Sequence, residues 1–154
     1  MRRTEEPDPA RVVVDADVLV ADVFVDGSAR EALDLLRDHS WLTLVLTEQL
    51  IADAVSVIAS LADSALAETW EAVIRSEAEI VQPRLSGHPA LTAAAGGNAA
   101  SVLSLDERLL TPTAGAAIRP RLPTSVKSPD AFVTTVDPAS LYEALEGGEY
   151  TGSE

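Results

Sequence analysis

The chain has 154 residues and no cysteine, and its 11 Lys and Arg stand against 25 Asp and Glu, a formal net charge of −14. This length favours one domain, and the lack of cysteine excludes disulfides, thiolate metal sites and a cysteine nucleophile. No apolar run reaches the roughly 18 residues of a membrane span, and the amino end has no hydrophobic signal segment. We therefore expect a soluble, cytoplasmic protein without a membrane partner.

The net negative charge comes from an unusual amino-acid composition. Lys127 is the single lysine, and Ala and Val dominate the apolar residues. Such a composition resembles that of halophilic proteins, which work in molar salt, where the Debye length falls to about 3 Å. Screening of this kind means that acidity does not exclude an RNA or DNA partner. Within 109–129, Arg119, Arg121 and Lys127 stand without any acid, so this segment either contacts phosphate or is a positively charged loop by chance.

Strand and helix patterns alternate along the chain. Residues 1–9 are polar and contain two prolines, so we interpret them as a flexible leader, followed by one domain over 10–146 and a tail over 147–154. Short apolar runs predict strands over 11–14, 42–46, 100–105, 116–119 and 124–127. Helices are predicted over 28–39, 47–61, 64–77 and 87–97 and from the pairs Ser128-Pro129 and Asp137-Pro138. This alternation predicts an α/β fold, a three-layer α/β/α sandwich with a mainly parallel sheet.

Local signals predict how these helices begin and which way they face. Ser28 and Glu31 have the spacing of a capping box. His88 is expected to cap the helix that starts at Pro89, and Gly96-Gly97 to end it. The side chains expected to face inward in the helix over 64–77 are Leu66, Trp70, Val73 and Ile74, and Trp41 is also expected in the core.

Three acids occupy positions that suggest a shared site. Asp15 and Asp106 each follow a predicted strand, and ligands of open parallel sheets bind at the carboxyl ends of strands. Asp53 is expected on the core-facing side of its helix, at helical spacing from Leu50 and Val57. Converging carboxylates repel one another unless a hard cation such as Mg²⁺ or Mn²⁺ lies between them. The alternative is that Asp15 and Asp106 cap the next helix and that Asp53 lies at a half-exposed helix edge.

Five segments carry a resemblance to a known family. In chain order they are Val-Val-Val-Asp15-Ala-Asp17-Val-Leu, Thr47-Glu-Gln-Leu-Ile-Ala-Asp53, His88-Pro-Ala-Leu-Thr-Ala-Ala-Ala, Ser104-Leu-Asp106 and Ser-Pro-Asp-Ala-Phe132. Over about residues 12–132 the chain resembles PIN-domain nucleases. The resemblance implies a PIN-like fold, a homodimer, an inhibitory protein partner and metal-dependent hydrolysis of RNA phosphodiester bonds.

The resemblance also implies roles for individual residues. Asp15, Asp53 and Asp106 would hold Mg²⁺ or Mn²⁺ as the catalytic acids. Thr47 and Ser104 would orient a ligand or the scissile phosphate. The basic residues that would hold flanking phosphates are Arg119, Arg121 and Lys127.

His88 departs from the family pattern, because it stands where an aspartate is expected. Imidazole is a poor ligand for Mg²⁺, whereas Mn²⁺ tolerates it better. His88 is therefore a helix cap, a metal ligand or a proton shuttle, and Asp17 is a candidate to supply the missing charge. Two functions follow from this departure: an active ribonuclease, or a catalytically degraded module that binds RNA or protein.

Asp15-Ala-Asp17-Val also resembles the first motif of haloacid-dehalogenase-type phosphatases. There Asp15 would be the phosphorylated nucleophile and Asp17 the general acid. Thr47 and Lys127 would take the positions of that family's later motifs. This alternative lacks an acidic pair after the lysine and leaves Asp53 and Asp106 without a role. A receiver domain is disfavoured, because the second strand ends on Thr47 and not on an aspartate.

Overall fold

A parallel sheet forms the centre of the computed structural model, which describes residues 7–111, 113, 114, 117 and 124–136. Strands β1 to β5 are Asp8–Val14, Thr43–Leu46, Ala78–Ile80, Ala99–Leu103 and Ser125–Lys127. Helices α1 to α7 are Ala16–Phe24, Ser28–Asp38, Glu48–Leu61, Ser64–Glu77, Pro89–Gly97, Glu107–Leu110 and Pro129–Thr135.

The five strands are all parallel and lie in the order β3-β2-β1-β4-β5. In register, Val13 of β1 lies between Val45 of β2 and Val102 of β4. Val12 and Val14 are as fully buried as Val13, so β1 is apolar on both faces, as expected for the centre of a parallel sheet. The fold is therefore α/β, as predicted, with the two acids of interest at the ends of adjacent central strands.

Helices cover both faces of this sheet. A Cβ placed on Gly97 of α5 would touch the side chain of Val45, so α5 covers the face on which Val45 points. Leu44 points to the opposite face, because successive strand residues alternate, and it lines a cavity with Leu33 and Leu36 of α2. Helix α7 packs against α2 on that second face. No helix among the described residues is long and apolar enough to cross a membrane.

Most of the predicted elements are confirmed with shifted ends. The strands predicted over 11–14, 42–46 and 124–127 are β1, β2 and β5, and the helix over 64–77 is α4. β1 begins at Asp8, inside the segment interpreted as a leader, and β4 ends at Leu103, two residues before the predicted end. The strand predicted over 116–119 and the helix start at Asp137-Pro138 lie outside the described residues, apart from residue 117.

Several local predictions are wrong. Gly27, and not Ser28, is the cap of α2, and no side chain caps that helix. The helix end predicted at Gly96-Gly97 is confirmed, since α5 ends at Gly97, although the cap residue in the left-handed region is Asn98 and not a glycine. Leu66 and Val73 are exposed, because α4 buries only the narrower face that carries Ala67, Trp70 and Ile74. Trp41 is half-buried against the core.

Three elements were not predicted: helices α1 and α6 and strand β3. Helix α1 has no clean amphipathic stripe, since Asp17 and Asp22 interrupt an apolar segment. Asp22 is nevertheless buried, because Arg37 of α2 pairs with it at 2.8 Å. Strand β3 has only three residues, and its position depends on pairing with β2 rather than on its own composition.

Candidate active site at the carboxyl edge of the sheet

Asp15 and Asp106 lie at the same edge because β1 and β4 are parallel neighbours. The backbone N–H of Asp15 donates to the carbonyl of Leu103, the last residue of β4, at 2.8 Å. Each acid caps the helix that follows: Asp15 accepts from the N–H of Ala16, and Asp106 accepts from the N–H of Arg108. The capping interpretation of both acids is thus confirmed, and a cap leaves the remaining lone pairs of each carboxylate open to other contacts.

The Ser104 hydroxyl joins the two acids. This side chain is fully buried, and its Oγ donates to Oδ2 of Asp15 at 2.8 Å. The same Oγ accepts from the backbone N–H of Asp106 at 3.0 Å. One hydroxyl therefore orients a carboxylate that is only 6% exposed and fixes the loop that carries the second one.

Asp17 adds a third carboxylate to this edge. Its oxygens accept from the backbone N–H of Leu105 at 3.2 and 3.3 Å, which ties α1 to the loop after β4. Burial and then the charge of Asp15 raise the pKa of Asp17, and the charge of Asp106 adds to this effect. The hydrogen bonds from Leu105 and Val18 act in the opposite direction but do not offset it. The edge therefore carries more negative charge than its own donors neutralise.

His88 lies between two of these carboxylates. Its Nδ1 accepts from the N–H of Ala90 at 3.1 Å and so caps α5, which confirms the capping interpretation. Its Nε2 lies 3.6 Å from Oδ2 of Asp15 and 3.6 Å from Oδ2 of Asp106. Since Nδ1 uses its lone pair for the cap, the proton of the neutral ring is assigned to Nε2. The imidazole therefore presents an N–H, not a lone pair, to the acids.

Arg108 is a residue of this edge that the sequence analysis missed. Its guanidinium makes two hydrogen bonds to Asp106, of 3.1 and 2.9 Å, and is otherwise 87% exposed. This contact lowers the pKa of Asp106 to about 2. The signal was present in Asp106-Glu-Arg108, because an arginine two residues after a helix cap can reach back to the capping carboxylate.

The model of a family of unknown function, DUF7384, matches residues 6–154. The chain belongs to the DUF7384 family. No curated protein matches it. Among solved structures, a chain in the crystal structure of VapBC2 from Rickettsia felis bound to a DNA fragment from their promoter matches with a TM-score of 0.52 and 11% identity. The match covers 77% of the chain described here and 98% of the matching chain in the VapBC2 structure. At 11% identity, it shows a common fold.

Asp53 does not join the edge of the DUF7384 chain in the way predicted. It is exposed, and the prediction that it lies on the core-facing side of α3 is wrong. The buried stripe of α3 runs through Leu50, Ile51, Ala54 and Ile58. Asp53 lies at the border of that stripe, since Val57, one turn later, is already exposed. The half-exposed edge that the sequence left open as an alternative describes it better.

The other predicted residues lie as follows. Thr47 is buried at the end of β2, where its Oγ1 accepts from the N–H of Leu50 and caps α3. Lys127 lines a cavity with Val12 and Phe132 on the face covered by α7. Asp15 follows Val14 and points to the other face, so the phosphatase alternative finds no lysine beside its nucleophile at this position. Arg119 and Arg121 lie outside the described residues.

The residues of the DUF7384 chain fit a hard divalent cation in donor chemistry. Carboxylate oxygens are the preferred ligands of Mg²⁺ and Mn²⁺, and the raised pKa of Asp17 reports uncompensated negative charge beside Asp15 and Asp106. The present arrangement is closed, however: within the described ranges no group of three or more His, Cys, Asp or Glu is placed to hold a metal. The groups that stand among the acids are the His88 imidazole and the Arg108 guanidinium.

Proposed function

We propose that this protein is a PIN-like, divalent-metal-dependent ribonuclease whose active site is the carboxyl edge of β1 and β4. The observation that carries the proposal is the meeting of Asp15, Asp17 and Asp106 at one edge: the buried Ser104 hydroxyl joins the Asp15 carboxylate to the backbone of Asp106, and Asp17 accepts from the backbone N–H of the intervening Leu105. Such a group is unfavourable without a cation, because its members repel one another. The order of the PIN-like motifs and the fold shared with a chain of the VapBC2 complex add support.

The proposed mechanism assigns a task to each described side chain. Asp15, Asp17 and Asp106 hold the cation, which when bound supplies Lewis-acid chemistry at a water and at the scissile phosphate. Ser104 keeps the Asp15 carboxylate in one orientation through its 2.8 Å hydrogen bond. Arg108 is long, exposed and already at the site, so its guanidinium can exchange Asp106 for a substrate phosphate. Arg119, Arg121 and Lys127 remain candidates for flanking phosphates.

Partners follow from the same proposal. The VapBC2 structure of Rickettsia felis is a complex bound to promoter DNA. For this chain we propose a nucleic-acid and a protein partner by analogy, and the PIN-like motifs specify them further as an RNA substrate, an inhibitory protein and a second copy of the chain. A halophilic, cytoplasmic setting, suggested by the composition, remains part of the proposal and sets the salt for every experiment.

A second function is favoured by a specific observation. The N–H of His88 faces two of the acids and the Arg108 guanidinium pairs with Asp106, so groups of the chain itself already compensate part of the acidic edge. A site compensated in this way needs no cation to be stable, which is the state expected of a catalytically degraded PIN-like module that binds RNA or protein. A measurement of metal binding therefore distinguishes the active ribonuclease from the non-catalytic module.

The deciding experiment is a calorimetric Mn²⁺ titration in multimolar KCl, which screens the net charge of −14 and suppresses unspecific cation binding. The variants are Asp15→Asn, and Asp26→Asn as a matched control in an acid whose side chain is 90% exposed. We expect one saturable site in the wild type and in Asp26→Asn and none in Asp15→Asn, with RNA cleavage lost in parallel. A folded wild type without a saturable site would favour the non-catalytic module.

A further inference from the structure

The ring of His88 occupies the space between two carboxylates of the proposed metal site. Its Nε2 is equally far, 3.6 Å, from one oxygen of Asp15 and one oxygen of Asp106. On the side that faces the ring, an ion about 2.0–2.2 Å from either carboxylate oxygen would collide with the ring edge, because Nε2 is only 3.6 Å from each oxygen. On that side the ring and the ion exclude one another.

The capping bond prevents the ring from acting as a ligand instead. Nδ1 accepts the N–H of Ala90, so the neutral ring carries its proton on Nε2. A nitrogen that carries a proton has no lone pair to offer to a metal. To coordinate through Nε2, His88 would have to move its proton to Nδ1 and give up the cap of α5.

We propose that His88 determines the metal affinity of this site by competing with a divalent cation for Asp15 and Asp106. The inference rests on the proposed function, since it assigns His88 a role at the same site. In the resting protein the imidazole N–H holds the place between the two carboxylates. Binding of the cation requires the ring to swing away, so the site is weaker for Mg²⁺ than its three carboxylates alone would make it.

Two substitutions at this position separate competition from ligation. Asparagine is a good helix cap, so His88→Asn keeps the cap of α5 while its shorter side chain vacates the space between the acids. His88→Asp keeps the cap as well and adds a hard oxygen ligand. The titrations are run with Mg²⁺ at pH 8 for the wild type and both variants.

We expect His88→Asn to bind Mg²⁺ at least about tenfold more tightly than the wild type, and His88→Asp more tightly still. Thermal unfolding without metal checks that each variant is folded, and the rise in unfolding temperature with Mg²⁺ gives a second measure of affinity. In the wild type, the amide resonance of Ala90 should shift on saturation with Mg²⁺, because the ring that caps it has moved.

The outcomes separate the two proposals. Weaker binding in His88→Asn would mean that the imidazole is a ligand, and unchanged binding would mean that it does not compete; either result overturns the inference and leaves the proposed function standing. No Mg²⁺ binding in the folded wild type or in either variant overturns both. Binding that appears only when His88 is replaced supports the inference in its strongest form, with His88 as the block.

Discussion

Ser104 and Asp15 are 89 residues apart in the chain and are joined by a buried hydrogen bond of 2.8 Å. The parallel pairing of β1 with β4 brings them together, because both residues directly follow strands that end in register, with Val14 opposite Leu103. The bond is therefore a consequence of the sheet, and it sets the direction of the carboxylate on which the proposed chemistry depends.

Removal of this hydroxyl should destabilise the fold. In Ser104→Ala the carboxylate of Asp15, which is buried, loses a donor that water cannot readily replace, at a cost of about 1–3 kcal/mol in the free energy of unfolding. Urea denaturation in multimolar KCl measures the loss, with Ser125→Ala on an exposed position of β5 as the control. In the Asp15→Asn background the same change should cost less. Equal losses in both backgrounds would show that the bond to Asp15 contributes nothing.

The pH dependence of stability should report the charge at this edge. Burial and Asp15 raise the pKa of Asp17, so the folded state holds its proton more tightly than the unfolded state does. Ionised Asp17 therefore lowers stability, a penalty that is absent well below its unfolded pKa and complete above its raised folded pKa. Asp17→Asn should raise the free energy of unfolding by on the order of 1 kcal/mol at pH 7 and leave it unchanged at pH 3.

Thermal unfolding between pH 3 and pH 8 tests this expectation. Asparagine keeps an oxygen that accepts the N–H of Leu105, so the substitution removes charge without removing the contact. Asp26→Asn is the matched control, since the Asp26 side chain is 90% exposed. A gain in stability that is the same at every pH would point to packing and not to charge.

The acids of this edge could be predicted from the sequence better than the residues that surround them. Asp15, Ser104 and Asp106 could be placed because each follows an apolar run, and the ends of parallel strands meet at one edge. The cap at His88 was visible in His-Pro. In contrast, Asp53 was misplaced because the width of a buried stripe depends on what packs against the helix, and here the stripe ends before Asp53.

Burial of a charged residue was the feature least accessible to sequence reasoning. Asp22 interrupts the apolar pattern of α1, and only a partner from another element explains why it is 7% exposed. Arg37 supplies that partner and also contacts Asp34 and Glu77. Local periodicity contains no information about such a contact between helices, so α1 was not predicted.

Arg37 should accordingly matter far more for stability than an exposed arginine does. Burial acts to lower the pKa of Arg37, but the hydrogen bond to Asp22 and the charges of Asp22 and Glu77 raise it above its ordinary value, so the guanidinium stays charged. Arg37→Met leaves the buried Asp22 carboxylate without its arginine partner and should lower the free energy of unfolding by about 2–4 kcal/mol. Arg75→Met removes only exposed pairs with Glu48 and Glu71 and should lower the free energy of unfolding far less.

Urea denaturation of both variants decides between a structural and a superficial role for Arg37. In an Asp22→Asn background the loss caused by Arg37→Met should fall, because the buried charge is gone. Losses of the same size for Arg37→Met and Arg75→Met would contradict the assignment of Asp22 and Arg37 as the pair that anchors α1 to α2.

Gly96 in α5 lies against Gln82 and Pro83, in the segment that leads to His88. A Cβ on Gly96 would collide with the backbone carbonyl of Gln82, which cannot rotate away as a side chain can. Gly96→Ala should therefore cost at least about 1–3 kcal/mol, despite the higher helix propensity of alanine. At Gly27 a Cβ would meet only Val25 at an ordinary 3.7 Å, so Gly27→Ala is a control without a collision, and its cost should be at most the roughly 1 kcal/mol of alanine at a helix N-cap. Because the collision displaces the segment that leads from Gln82 to His88, Gly96→Ala should also alter Mg²⁺ affinity, and Gly27→Ala should not. Equal affinities in the two variants would show that the His88 segment is held independently of α5.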